Sequence, residues 1–294
     1  MPIETLYFTS IAPAPTQHLS VAASQQALYV PQYNGVVFQA AGAYIGLQLD
    51  LTNINLAGTG VTLNLLLGSE NPSAYPRCPL SIIVNGQNIV INWDGTLASY
   101  NTISWAIPPS VLNQGVNAII LTVSAGSSYL VIQEATAMIV QMNQQANTNW
   151  CWASVTESIS YYYNINSAWI QCAVVNQCLG LTICCNAGAP AACNQPYYLD
   201  RALTLTGNFR SLGPPPVHPG DIQAETNTKH VFGVRIGWPD LSGHFIVASG
   251  ISQDLNWVAV EDPWDGQWYV SYATLMGKYK GIGSWTYSYL TKSA

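Results

Sequence analysis

Hydrophobic and polar residues alternate in short runs through the first half of the chain, and turn residues separate the runs. In segment 61–66, Val61, Leu63 and Leu65 alternate with Thr62 and Asn64, the period of a strand covered on one face. Further β-runs occupy 35–38, 44–49, 80–84, 89–93, 118–123 and 129–132. Asn85-Gly86 falls between two of them and predicts a hairpin, since both residue types tolerate the positive φ of a two-residue turn. Many short strands with Gly, Pro and Asn turns predict an all-β sandwich of jelly-roll type over residues 1–139.

The period changes beyond that point. A last strand-like run at 137–140 gives way to the polar stretch 143–149, and then Val155, Ile159 and Tyr162 recur at helical spacing. No Pro/Gly/Ser linker intervenes. The expected organisation is therefore two domains, 1–139 and 140–294, packed together rather than tethered.

Composition narrows the function. The 294 residues are 49% hydrophobic and only 7% charged, so Asn, Gln, Ser, Thr and Tyr must supply the polar surface. Eight Lys and Arg stand against fourteen Asp and Glu, for a net charge of −6, and the cations form no cluster. A nucleic-acid partner needs a basic face, and docking on anionic lipid needs a polybasic patch; neither is present. No run of 18 apolar residues exists, so membrane insertion is not expected. The N-terminus lacks the basic and apolar regions of a secretory signal.

Candidate chemistry lies in the second half. Cys151 precedes Val155 by one helical turn, which places it in the first turn of a helix. There the unpaired N–H groups and the helix dipole favour a thiolate, the nucleophilic form. Gln145, in the loop approaching that helix, can aim a side-chain amide at an oxygen attacked beside the sulfur. Far downstream, His244 and Asp262 lie on two strands joined by a short turn at 252–256, and antiparallel pairing brings imidazole and carboxylate side by side. A base and its orienting carboxylate are what a cysteine nucleophile needs.

Gln145, Trp150-Cys151-Trp152-Ala153, Gly243-His244-Phe245-Ile246-Val247 and Asp262-Pro263-Trp264, in that order, resemble the papain-like cysteine peptidases. The similarity is greatest to the compact branch that includes bacterial effector peptidases, and it spans roughly residues 141–275. Cys184-Cys185, Cys193-Asn194-Gln195-Pro196 and the 233–238 run agree with it. The resemblance implies an α+β domain with a catalytic helix at its start and an antiparallel sheet. It implies Cys151 as nucleophile, His244 as base, Asp262 as the residue orienting the imidazole and Gln145 as oxyanion donor, with no cofactor and no metal. Three positions depart from the pattern. His244 follows Cys151 by 93 residues, against roughly 130–150 in the larger enzymes. Asp262 stands in place of Asn, and Ser154 in place of a second Ala. In the first half, Trp105-Ala106-Ile107-Pro108-Pro109 with Leu112, Gly115, Asn117 and Ile119 resembles a stretch of galactose-binding-like modules.

The remaining residues with chemical potential have plainer roles. Cys172, Cys178, Cys184, Cys185 and Cys193 lack zinc-ligand spacing and read as disulfides, with two bridges and a spare thiol among the pairings. Cys78, between Arg77 and Pro79, has no base to partner it. His18, His218 and His230 are expected at the surface, and Trp93 and Trp105 in the core rather than as a sugar platform. The main functional expectation is peptide-bond hydrolysis of a protein or peptide substrate through a Cys151 thioester. Deamidation or acyl transfer by the same triad is the enzymatic alternative. A third reading is a carbohydrate- or surface-binding protein, with a glycan as partner of the first domain. The cysteines argue for an extracellular or non-classically exported protein.

Overall fold

The structure, a computed structural model, describes residues 3–38, 40–69, 71, 73, 79–95, 99–123, 130–186 and 188–294. Arg77, Cys78 and Tyr129, which entered the sequence reading, lie outside them. The chain forms two compact units, residues 3–55 with 61–138, and residues 139–294 with 56–60. Among the described residues no helix is long and apolar enough to cross a membrane.

The first unit is a β-sandwich. In chain order its strands are β1 (Ile3–Tyr7), β2 (Leu19–Gln25), β3 (Ala27–Val30), β4 (Gly35–Phe38), β5 (Tyr44–Asp50) and β6 (Thr59–Ser69), then β7 (Leu80–Val84), β8 (Gln87–Trp93), β9 (Asn101–Ile107), β10 (Val116–Val123) and β11 (Leu130–Gln141). One sheet has the order β3-β4-β11-β6-β9, with β1 also on β11, and the other β2-β5-β10-β7-β8. Leu6, Leu47, Leu63, Leu65, Ile82 and Leu121 are buried in its core. Asn85 and Gly86 take φ of 49° and 82° and close the β7–β8 hairpin, as their chemistry requires.

Three details differ from the sequence reading or refine it. Residues 130–132, the described part of the run at 129–132, and the run at 137–140 belong to one strand, β11. Thr62 and Asn64 on β6 are buried along with their apolar neighbours, so that strand is covered on both faces. His18 is buried rather than at the surface. The pairing of Leu19 with Leu49 brings it beside Asp50, whose carbonyl lies 2.6 Å from its Nδ1, and its own N–H donates to Glu4 at 2.6 Å. Trp105 is buried with Trp93 packed against it edge to face, centroids 5.5 Å apart, so Trp105 offers no open face for a sugar ring.

The second unit opens with α1 (Cys151–Tyr163), α2 (Gln171–Leu179) and α3 (Leu199–Leu205). A six-stranded antiparallel sheet follows, built from β12 (Phe209–Gly213), β13 (Phe232–Gly237), β14 (Gly243–Ile251), β15 (Trp257–Asp262), β16 (Gly266–Ser271) and β17 (Ser284–Thr291). Its order is β12-β17-β13-β14-β15-β16. Helices α4 (Pro219–Asn227) and α5 (Tyr272–Gly277) complete this α+β unit. Phe232, Val234, Ile236, Ile246, Val258 and Val260 form one buried face of the sheet with Ile222, Leu275 and Trp285. Helix α1 packs on β14, and that packing brings the start of the helix to the strand carrying His244.

Candidate active site

Cys151 is the first residue of α1 and is 7% exposed. Trp150, at the helix cap, gives the first turn no side-chain acceptor, so the N–H groups there are left to other partners. Both flanking indoles anchor the helix. Trp150 Nε1 donates to Cys193 O at 2.7 Å and Trp152 Nε1 to Gln195 O at 3.0 Å. Asn194 secures the preceding loop, accepting from Asn149 N at 2.9 Å and donating to Thr148 Oγ1 at 2.9 Å. This anchoring loop is itself fixed by the Cys184–Cys193 disulfide, and a second bridge joins Cys172 to Cys185. The spare thiol of the group is Cys178, pushed up to about 11 by burial.

Ser154, one of the departures from the peptidase pattern, has a local purpose. Its hydroxyl donates to Asn143 O and lies 3.4 Å from Met142 Sδ, tying α1 to the segment that leads into it. Gln171 on α2 holds the same segment farther along. It accepts from Ala146 N at 2.9 Å and donates to Gln144 O at 3.0 Å. Gln145 lies between these two contacts. Its backbone N–H donates to Pro263 O at 2.9 Å, which links its loop to the turn after Asp262. Its side-chain Nε2 lies 2.8 Å from both Asn147 O and Thr148 O, just ahead of Cys151.

His244 and Asp262 meet in the sheet. The ladder pairs Val247 with Glu261, so Asp262 stands across from Ile246 and His244 is its diagonal neighbour. Diagonal pairs are within reach of long side chains, and here His244 Nε2 lies 2.7 Å from Asp262 Oδ1 with both groups buried. Asp262 Oδ1 also accepts from Trp264 N at 2.8 Å, and Oδ2 accepts from Tyr279 OH at 2.7 Å. Burial alone would raise this carboxyl, but the hydrogen bond and charge of His244, with the Trp264 and Tyr279 donors, hold it well below the usual range. It is therefore ionised, and His244 Nε2 carries the proton between them.

The imidazole itself is unusually basic. Burial opposes its charging, yet the Asp262 hydrogen bond, the Cys151 thiol and the charges of both raise it to about 9. Among the described residues Nδ1 has no hydrogen-bond partner other than that thiol. With Nε2 taken by Asp262, Nδ1 is the nitrogen open to Cys151. Trp264 lies flat on the ring, and Trp238 stacks more distantly at 6.5 Å.

Sequence reasoning missed Tyr279 and Lys280. Lys280 Nζ is 3.1 Å from Asp262 Oδ2 and pairs also with Asp265. They lie beyond α5, and no periodicity or motif spacing links them to Asp262. With Trp257, Trp268 and Tyr269 they line a cavity of about 380 Å³. Glu261, the next residue before Asp262, does not enter the site. It is buried, accepts from Ser249 Oγ at 2.8 Å, and is raised by burial to about 8. His218 caps α4 and His230 lies beside Arg210 and Glu225. Among the described residues no group of His, Cys, Asp and Glu is arranged to hold a metal.

No protein-family model matches the chain, and no curated protein matches it. Solved structures similar to it include a family 35 carbohydrate binding module from Clostridium thermocellum, 16% identical with a TM-score of 0.27, covering 45% of this chain and 90% of that one. A CBM35 from Paenibacillus barcinonensis is 18% identical with a TM-score of 0.30, over 46% and 97% of the two chains. A carbohydrate-binding module CBM36 in complex with calcium and xylotriose is 12% identical with a TM-score of 0.31, over 40% and 92%. Likenesses of this size say nothing about ligand or activity.

Proposed function

We propose that the unit containing residues 139–294 is a cysteine peptidase of papain-like type, with Cys151 as nucleophile and His244 as base. The observation that supports it most is the buried 2.7 Å His244–Asp262 pair, which occupies Nε2 and keeps Nδ1 open to the thiol at the start of α1. In this reading Cys151 gives its proton to Nδ1, and the thiolate attacks the scissile carbonyl. The oxyanion is received by the Cys151 N–H and by Gln145, whose Nε2 turns from a loop carbonyl to the substrate. Collapse breaks the C–N bond, and the imidazolium returns its proton to the leaving amine. Water, deprotonated by His244, then hydrolyses the thioester to a carboxylic acid and free Cys151. Asp262 fixes the ring and stabilises its charged form.

Alkylation by iodoacetamide or an epoxysuccinyl reagent, followed by peptide mapping, tests the nucleophile: Cys151 should be modified before Cys178 and activity lost in parallel. Modification of Cys178 first, with peptide hydrolysis intact, would overturn the assignment. Mass spectrometry of products separates hydrolysis from deamidation or acyl transfer by the same triad.

The second reading concerns the sandwich, which we propose as a carbohydrate-binding module. Its support is the two-sheet β-sandwich of the first unit, the fold of the carbohydrate-binding modules it resembles, one of them solved with xylotriose. Affinity electrophoresis of residues 1–138 on xylan tests it: retarded migration is expected, and unchanged migration on a panel of polysaccharides would exclude the role.

A further inference from the structure

A buried carboxylate beside an imidazole presents two oxygens that share its charge, and only one of them can face the ring. If the second oxygen is unpartnered, the group can rotate about its last bond, and its full charge acts on the imidazole. In this protein Oδ1 receives His244 Nε2 and the Trp264 N–H. Oδ2 points the other way, to Tyr279 OH at 2.7 Å and Lys280 Nζ at 3.1 Å. These two partners are consecutive residues, placed after α5 where Tyr279 pairs with Gly283 in a short bridge. Tyr279 is buried in the core of the sheet's face, while Lys280 keeps 28% of its side chain exposed and spans Asp262 and Asp265.

We infer that Tyr279 and Lys280 are positioning residues, which hold Asp262 by its second oxygen and moderate the charge it exerts on His244. The tyrosine hydroxyl fixes the rotation of the carboxylate, and the ammonium offsets its charge from the side away from the ring. Every charged or titratable group facing the pair from the packed elements has a place in this account. Cys151 on α1 faces the free nitrogen of the ring, and Asp265 shares the lysine. Glu261 is uncharged at neutral pH because burial raises it to about 8. Lys280 is thus the single cation within salt-bridge distance of Asp262 besides the imidazole, among the described residues.

The inference rests on the peptidase reading for its kinetic arm alone. The decisive measurement is an NMR titration of the His244 ring proton in the full chain without substrate, assigned with His244→Ala. Lys280→Met removes a positive charge near the imidazolium and should raise the His244 pKa by about one unit. Tyr279→Phe removes one donor to Oδ2 and should raise it by less. Lys280→Arg should restore the original titration. If the protein is a peptidase, kcat should fall several-fold in Lys280→Met with KM unchanged, because a more basic imidazolium is a poorer acid toward the leaving amine. The alkaline limb of kcat/KM should rise in step with the titration. Near-UV circular dichroism identifies a variant that has lost its fold, in which case Tyr279→Phe, smaller by one oxygen, carries the test. A His244 titration that moves by less than about 0.2 units in both folded variants, or the same shift in Lys280→Arg as in Lys280→Met, overturns the inference. A shifted titration in a protein without hydrolytic activity overturns the peptidase reading and leaves the charge coupling standing.

Discussion

Trp264 lies flat on the imidazole of His244, ring centroids 4.2 Å apart and planes inclined by 15°. The indole remains 43% exposed, so it stands between solvent and the His244–Asp262 hydrogen bond. Its π-face also favours the charged ring, an interaction worth about 1 kcal/mol. Trp264→Ala should therefore lower turnover by roughly five- to tenfold and leave KM nearly unchanged. Steady-state kinetics on a peptide substrate decides it, and a change confined to KM would mean that Trp264 contacts substrate instead.

Removal of the nucleophile or the base should differ from removal of the orienting group. Cys151→Ala and His244→Ala are expected to abolish turnover. Asp262→Ala should retain about a hundredfold more activity than either, because the imidazole can still accept a proton when poorly oriented. Equal loss in all three would give Asp262 a part in bond making. Full activity in Asp262→Ala would assign the orienting role elsewhere.

Stability should fall as pH rises from neutrality. His244 titrates near 9 in the folded protein against an ordinary 6.5. Its contribution is therefore complete below about 6.5 and lost as pH climbs through about 9. Glu261 is raised from 4.5 to about 8, so folding favours its neutral form and this contribution drains away between those values. Glu261→Gln removes the second effect. Urea unfolding at pH 5, 7 and 9 should show the variant gaining on the natural protein as pH rises, by on the order of 2 kcal/mol at pH 9. A constant difference across the three would show that Glu261 does not titrate there.

The two disulfides should differ in their effect on helix α1. Cys184→Ser with Cys193→Ser opens the loop that receives Trp150 and Trp152, and should cost about 2–3 kcal/mol. Hydrogen exchange at the first turn of α1 should quicken in that double variant. It should stay closer to normal when Cys172 and Cys185 are replaced. Equal exchange in the two would separate the disulfide loop from the helix start.

Gly60, which belongs to the same unit as residues 139–294, packs closely against Glu261. A Cβ on Gly60 would fall 1.6 Å from Glu261 Oε1, and that carboxyl is held by Ser249. Gly60→Ala should destabilise the protein by about 1–3 kcal/mol through overpacking, read as a lowered urea midpoint.

Local chemistry was legible from the sequence. Asn85-Gly86 specified its turn because two residues that accept positive φ need no tertiary support. The helical spacing of Val155, Ile159 and Tyr162 located Cys151 in the first turn, since the period of a helix is set within the helix itself. His244 and Asp262 could be brought together on paper because a hairpin is short and its register nearly arithmetic. A bulge between Ala248 and Gly250, which such arithmetic does not foresee, sets the register that makes them diagonal neighbours.

Tertiary structure decided the rest. His18 is buried because β2 pairs with β5 beside it, and the pairing of distant strands leaves no local trace. Which five-cysteine pairing occurs depends on how α2 and the loop after it fold back, so sequence left it open and the structure chose Cys172–Cys185 and Cys184–Cys193. Sequence places Gln145 in the loop before α1, but the direction of its amide follows from the carbonyls of Asn147 and Thr148. Tyr279 and Lys280 reach Asp262 only because α5 and the turn after it pack on the buried face of the sheet. Short-range pattern is written in residue order, whereas the second oxygen of a buried carboxylate is satisfied by whatever the completed fold carries to it.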